Sequence, residues 1–302
     1  MRRLRLPLAG LAVLAVTLAA APGASAVMGG TVATRPYPYM AALRVDGDLI
    51  CGSSLVAPQW ILTAAHCVTD DNGNVYAPGR LSFTLGVTKL SQSAQGENIP
   101  ADRVARHESY NADTTEYDVA LVHLARASAQ APVRIASPSE QALWAPGKEA
   151  TVIGWGGQVY PGIAGVTTSD DLREVQVPMV SDADCSTSYN TLGITGEFFP
   201  KTMVCAGELY GTKDSCSGDS GGPLLVPDAH GALVQAGTVS WGFACGVPTQ
   251  YGVYGRVGAD PLNSWIQQRI GTAAARKAKR KRAARRARAR AHARNRTRAR
   301  RS

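Results

Sequence analysis

The chain has 302 residues, of which 45% are hydrophobic, 18% are charged and 31 are glycine, with a formal net charge of +9. Wholesale disorder is excluded, because the apolar share is enough to offset ordering entropy, and the length fits one large domain or two small ones. Glycine has no three-residue period and no heptad seam is sustained, which excludes collagen and coiled coil. The charge is unevenly placed. Residues 271–302 hold 15 Lys+Arg and no acid, Arg2, Arg3 and Arg5 hold three more charges, and residues 27–270 carry the other 14 against all 23 acids. An acidic body therefore carries a strongly basic tail, and the two segments call for different partners.

In chain order, the first element is a targeting segment. Three arginines precede an almost wholly apolar run from Leu6 to Ala21, Pro22-Gly23 breaks it, and Ala24-Ser25-Ala26 fits the small-residue cleavage rule. Residues 1–26 are predicted to be a signal peptide and the protein to be secreted; an uncleaved membrane anchor is the alternative. In an exported chain the six cysteines, Cys51, Cys67, Cys185, Cys205, Cys216 and Cys245, read as disulfides, with 15 possible pairings and no zinc-like Cys-x-x-Cys.

Short β-rich runs bounded by Gly, Pro, Asn and Asp follow, among them Tyr39–Val45, Ser53–Val56, Arg80–Leu85, Val119–Leu124, Ala150–Ile153, Leu172–Pro178, Gly222–Val226 and Ala236–Ser240. Such spacing predicts an all-β sandwich or barrel. Only the end reads as helix: Asp260 as N-cap, Pro261 at N1, Leu262, Trp265, Ile266 and Ile270 on one face, and Gly271 as a stop.

Three segments carry chemistry: Thr63-Ala64-Ala65-His66-Cys67, Tyr117-Asp118-Val119-Ala120-Leu121, and Asp214-Ser215-Cys216-Ser217-Gly218-Asp219-Ser220-Gly221-Gly222-Pro223. Singly they are a histidine, a strand-edge aspartate and a glycine-rich turn. Glycines flanking a serine let backbone N–H groups approach a developing oxyanion. Together, in the order His, Asp, Ser, they closely resemble the trypsin-like (chymotrypsin-fold) serine proteases. Val27-Met28-Gly29-Gly30, Gly154-Trp155-Gly156, Ser240-Trp241-Gly242 and Gly252-Val253-Tyr254 extend the resemblance over about residues 27 to 270.

The resemblance implies an all-β fold of two packed antiparallel β-barrels, roughly 27–138 and 139–258, with the active site in the cleft between them, a C-terminal helix over roughly 260–270 and a basic tail at 271–302. It implies a serine endopeptidase with Ser220 as nucleophile, His66 as base and Asp118 as its orienting carboxylate, with the N–H groups of Gly218 and Ser220 as oxyanion hole. It pairs the cysteines as Cys51–Cys67, Cys185–Cys205 and Cys216–Cys245. Asp214 falls at the base of the specificity pocket, with Ser215, Ser240, Trp241, Gly242 and Gly252 around it, which implies cleavage after Arg or Lys. Ala244 departs from the glycine usual at the pocket rim and trims the entrance.

In relatives an α-amino group freed by proteolysis pairs with the Asp before the nucleophile, here Val27 with Asp219. Ala26 precedes Val27, so signal peptidase itself is the expected activating enzyme. The family's calcium loop looks absent, with Val87 where an acidic set would begin and Glu97 alone nearby; no metal and no cofactor are expected. The protein is expected to be a monomer acting on protein or peptide substrates. The tail has three readings: an arm for a polyanion such as nucleic acid, anionic wall polymer or membrane surface; a segment folded back on the acidic body; or a transient feature removed by the protease, the favoured one. A catalytically weak protease-like protein whose tail binds polyanions is the non-enzyme alternative.

Overall fold

The structure, a computed structural model, describes residues 27–157, 168–190 and 197–271. The predicted signal peptide, and the basic tail from residue 272 on, lie outside the described residues.

Six strands close the first barrel in the order β2-β3-β4-β7-β6-β5. They are β2 (Met40–Val45), β3 (Asp48–Ala57), β4 (Trp60–Thr63), β5 (Leu81–Leu85), β6 (Glu97–Arg106) and β7 (Ala120–Leu124). Asp46-Gly47 joins β2 to β3 with both residues at positive φ (52° and 99°), the two-residue turn whose twist matches a hairpin. Leu43, Leu55, Ile61, Phe83, Ile99 and Val122 point inward and are fully buried.

The second barrel is built of β9 (Glu149–Gly154), β10 (Arg173–Val180), β11 (Met203–Ala206), β12 (Pro223–Pro227), β13 (Leu233–Trp241) and β14 (Gly252–Gly255). Its ladder runs β9-β10-β11-β14-β13-β12 and closes through β12 with β9. Two short strands from earlier in the chain join it: β1 (Thr31–Val32) on β10, and β8 (Arg134–Ile135) parallel to β13. The residues that lead into the first barrel and out of it are thus hydrogen-bonded to the second. Helix α1 (Asp182–Asn190) starts where Ser181 Oγ accepts the Asp184 N–H at 3.0 Å and donates to its carboxylate at 2.5 Å, an N-terminal cap.

The barrels pack directly against each other. Met40 and Ala42 pack with Ile153 and Leu225 across the seam, and Gly52 N–H donates to Ser220 C=O at 2.8 Å. Ser54 Oγ donates to Gln235 Oε1 at 2.7 Å, both buried. The last helix, α2, occupies residues 262–271. Leu262, Trp265 and Ile266 seat it on Trp60, Leu62 and Leu121 of the first barrel. The helix begins one residue later than expected, so Pro261 takes the N-cap position rather than N1 and Asp260 precedes it, its Oδ1 accepting the Ser264 N–H at 3.0 Å. Gly271, expected as a stop, is the last described helical residue. Among the described residues no helix is long and apolar enough to cross a membrane.

Candidate active site

His66 follows β4 in a short 3₁₀ turn and Asp118 precedes β7. β4 and β7 are paired, with Thr63 opposite Ala120, so a backbone ladder brings together residues 52 apart in sequence. The Asp118 carboxylate is 2% exposed and takes three hydrogen bonds: Oδ2 from His66 Nδ1 at 2.8 Å and Ser240 Oγ at 2.5 Å, and Oδ1 from the His66 backbone N–H at 2.9 Å. Burial pushes the Asp118 pKa up, but the imidazole and these hydrogen bonds more than offset it and hold the carboxyl below its ordinary range. For His66, burial pushes the pKa down, and the field and hydrogen bond of Asp118 outweigh it, leaving the imidazole above 6.5.

The loop carrying Asp118 is strained. Thr115 and Tyr117 both have positive φ (54° and 57°), conformations unfavourable for bulky side chains and common at functional sites. A stack of rings secures it: Tyr117 lies 4.7 Å from His107, which lies 4.9 Å from Trp265 of α2.

Ser220 closes the turn that leads into β12. Gly218 has φ +95° and Gly221 φ +77°, and a Cβ on Gly221 would sit 2.2 Å from Thr63 Oγ1 and 2.4 Å from Gly52 O. Glycine at 221 is required on both counts, because the serine loop presses directly against the first barrel. The Asp219 N–H is spent on Cys216 C=O at 2.9 Å and the Gly221 N–H on Val239 C=O at 2.8 Å. Among the described residues the N–H groups of Gly218 and Ser220 have no protein acceptor, leaving two donors on either side of a spent one. No hydrogen bond joins His66 Nε2 to Ser220 Oγ among the described residues; contacts of this kind often tighten only when substrate is bound.

Beside Ser220 opens a pocket of about 190 Å³. Asp214, Ser215, Ser240, Trp241, Gly242 and Gly252 all line it, as does Ala244. Asp214 is 4% exposed; Oδ2 accepts the Gly246 N–H at 3.1 Å, whereas Oδ1 is buried with no hydrogen-bond partner among the described residues. Burial pushes this carboxyl up to about 7. Gly252 is small for a steric reason: a Cβ there would lie 2.7 Å from Asp214 Oδ1 and 3.0 Å from Tyr254 Oη. Gly252→Ala is expected to crowd the pocket base and cost roughly 1–3 kcal/mol of stability, measured as a lower urea-unfolding midpoint with an unchanged slope.

The N-terminal segment is docked beside this pocket. Met28 C=O accepts the Asp214 N–H at 3.2 Å, and Val27 and Asp219 are both fully buried. The Asp219 oxygens accept the N–H groups of Gly156 at 2.8 Å and Cys216 at 2.9 Å, and burial raises its pKa to about 7.

Three disulfides are present, Cys51–Cys67, Cys185–Cys205 and Cys216–Cys245. Cys51, His66 and Cys67 lie close enough to suggest a metal site, but both sulfurs are consumed in the disulfide. Glu97, the one acid near Val87, accepts hydrogen bonds from Arg126 Nη1 at 2.8 Å, Ser128 Oγ at 2.9 Å and the Ala129 N–H at 3.0 Å. Sequence reading placed Ser240 only in the pocket wall and passed over its bond to Asp118, because nothing local links residues 122 apart. Tyr254 was read only as part of a matching motif, whereas its hydroxyl donates to Ser215 Oγ at 3.3 Å beneath the pocket.

Two six-stranded barrels meeting at a buried Asp–His pair and a glycine-rich serine turn define the chymotrypsin-fold class of serine proteases. A family model for trypsin matches residues 26–266. The chain is 40% identical over 256 residues to pig (Sus scrofa) coagulation factor XII, covering 80% of this chain and 39% of that protein. It is 35% identical over 254 residues to mouse (Mus musculus) transmembrane protease serine 11E, with 81% and 55% covered, and 33% identical over 258 residues to human (Homo sapiens) serine protease 56, with 83% and 40% covered. It spans roughly half or less of the length of these relatives. The chain belongs to the trypsin family.

Proposed function

We propose that this chain is a secreted serine endopeptidase that hydrolyses peptide bonds after Arg or Lys. The observation that carries the specificity is Asp214 Oδ1, a buried carboxylate oxygen without a partner among the described residues, at the base of the pocket beside Ser220. A buried unpaired acceptor is costly, and a guanidinium or ammonium would satisfy it with a charge-assisted hydrogen bond.

In this reading Ser220 Oγ attacks the carbonyl as its proton passes to His66 Nε2. Asp118 fixes the tautomer with Nδ1–H and stabilises the imidazolium, and the free N–H groups of Gly218 and Ser220 hold the oxyanion. His66 returns the proton to the leaving amine, and water repeats the sequence on the acyl-enzyme. Three disulfides and the residue 1–26 pattern support an oxidising, extracellular setting. Cleavage between Ala26 and Val27 by signal peptidase would release the α-amino group that pairs with Asp219.

The test is kcat/KM on matched peptides with Arg, Lys or norleucine at P1, followed from pH 5 to 9. Arg and Lys are expected to be preferred. Because the empty pocket's carboxyl titrates near 7, a cationic side chain must displace a proton below that pH. The Arg-to-norleucine ratio should therefore fall as pH falls, approaching about tenfold per unit, while the His66 contribution cancels in the ratio. Asp214→Ser should flatten the ratio at every pH. A preference for norleucine in the unaltered protein would overturn the assignment.

A further inference from the structure

The position of α2 and the chemistry of the pocket together single out one bond of this chain as a substrate. Resting on the Arg/Lys reading above, we infer that the protease removes its own basic tail by hydrolysing the Arg276–Lys277 bond, with a second copy as the enzyme. Arg256 and Arg269 are the last basic residues before the tail, and both are held. Arg256 Nε donates to Met203 C=O at 2.7 Å and its Nη2 pairs with Asp182. Arg269 lies within α2, pairs with Glu108 and stacks 4.0 Å over the Trp265 ring.

A protease binds several residues on each side of the scissile bond in an extended backbone. Cutting at Arg269 would unwind α2 and expose Trp265 and Ile266, which are 8% and 0% exposed. Around Arg276 the stretch 274–279 lies wholly beyond the last described helical residue, and from 271 to 302 alanine is the largest apolar side chain. That composition supplies no large apolar side chain with which to build a core. Arg276 is the first basic residue after α2, so it sets the end of the trimmed product; cuts further along leave fragments that are themselves substrates.

The step is balanced hydrolysis. An ester forms between Ser220 Oγ and the Arg276 carbonyl carbon, the C–N bond to Lys277 breaks, and the amine leaves with the proton His66 held. Water then gives its hydroxyl to the carbonyl, leaving a carboxylate on Arg276 and a free Ser220. The product loses residues 277–302, which carry 14 of the tail's 15 positive charges, and the body from Val27 to Arg276 holds 15 basic residues against 23 acidic ones. Trimming therefore reverses the sign of the molecule.

The experiment is intact mass of secreted protein, unaltered beside Ser220→Ala, with an Arg-anilide assay run on each sample. Unaltered protein should end at Arg276 and the Ser220→Ala protein should keep Ser302. Adding catalytic amounts of the active protein to purified Ser220→Ala protein should then convert it to the Arg276 end. In Arg276→Gln the product should end at Lys277 with anilide activity unchanged. An active enzyme that keeps its tail, a product ending before residue 271, or a Ser220→Ala protein trimmed equally by the host would each overturn the self-processing while leaving the Arg/Lys reading intact. Absence of anilide hydrolysis in correctly folded protein would instead overturn that reading, and the self-processing with it.

Discussion

Ser220→Ala is expected to lower kcat by about 10⁶, and Asp118→Asn by about 10⁴ at neutral pH, with little change in thermal stability for the serine variant. The two losses differ because the proposed mechanism gives the two residues different work. Without Ser220 Oγ no acyl-enzyme forms. With asparagine in place of Asp118 the nucleophile stays, but an amide N–H₂ can face Nδ1 and stabilise the tautomer that carries its proton on Nε2, so the base is blocked. Asp118 accepts three hydrogen bonds, from His66 Nδ1, the His66 backbone and Ser240 Oγ; asparagine can accept at one atom only. Removing the carboxylate also removes the field that lifts His66 above 6.5, so the acid limb of kcat should shift to lower pH in the residual activity. Ser240→Ala, which leaves the imidazole contact intact, should cost far less. Pre-steady-state acylation and phosphonylation rates across pH 5–9 would check this. Equal phosphonylation of the unaltered and Ser220→Ala proteins would refute the nucleophile assignment, and failure of the unaltered protein to react would favour the catalytically weak alternative.

Legibility in the sequence followed how local each determinant is. Strands β2, β3, β5, β7, β9, β10, β12 and β13 overlay runs of β-branched and apolar residues, and three compact motifs marked the catalytic candidates. β6 was obscured by Pro100 and by Glu97, Asp102 and Arg103, tolerable because half the strand faces solvent. β14, Gly-Val-Tyr-Gly, has two glycines of poor strand propensity; Gly252 is there for the pocket, a constraint from residue 214 rather than from its own strand. α1 reads as polar, because it is held by Cys185 and Tyr189 through a disulfide and burial and has no apolar stripe along its length. The bonds that couple barrels, Ser240 to Asp118 and Ser54 to Gln235, join residues more than 100 positions apart. No window of sequence contains both partners.

A form that retains residues before Val27 is expected to be about 10³-fold less active than the processed form at pH 8, with the deficit shrinking as pH falls toward 5. Asp219 is fully buried and titrates near 7 against an ordinary 3.8. Two backbone N–H groups do not compensate for its loss of water, so keeping it ionised inside costs about 4 kcal/mol relative to leaving it in solvent. The sign follows from proton binding: the inward arrangement holds its proton more tightly, so it is favoured below pH 4 and loses stability as pH rises from 4 to 7. An ammonium at Val27, whose segment already lies along the pocket through Met28 and Asp214, offsets that penalty. The amine's own pKa, about 8 in water, is raised by the carboxylate, so the offset is complete below 8 and disappears as pH climbs through the raised value. Processed enzyme should therefore lose activity reversibly at alkaline pH, and the amine-free form should lose it from the acid side of neutrality. Replacing Ala26 to block signal cleavage, and acetylating the processed terminus, give the two amine-free forms; kcat/KM on an Arg-anilide from pH 5 to 10.5 separates them. An extended form as active at pH 8 as the processed one would remove Val27 from the mechanism and leave Asp219 with a structural role only.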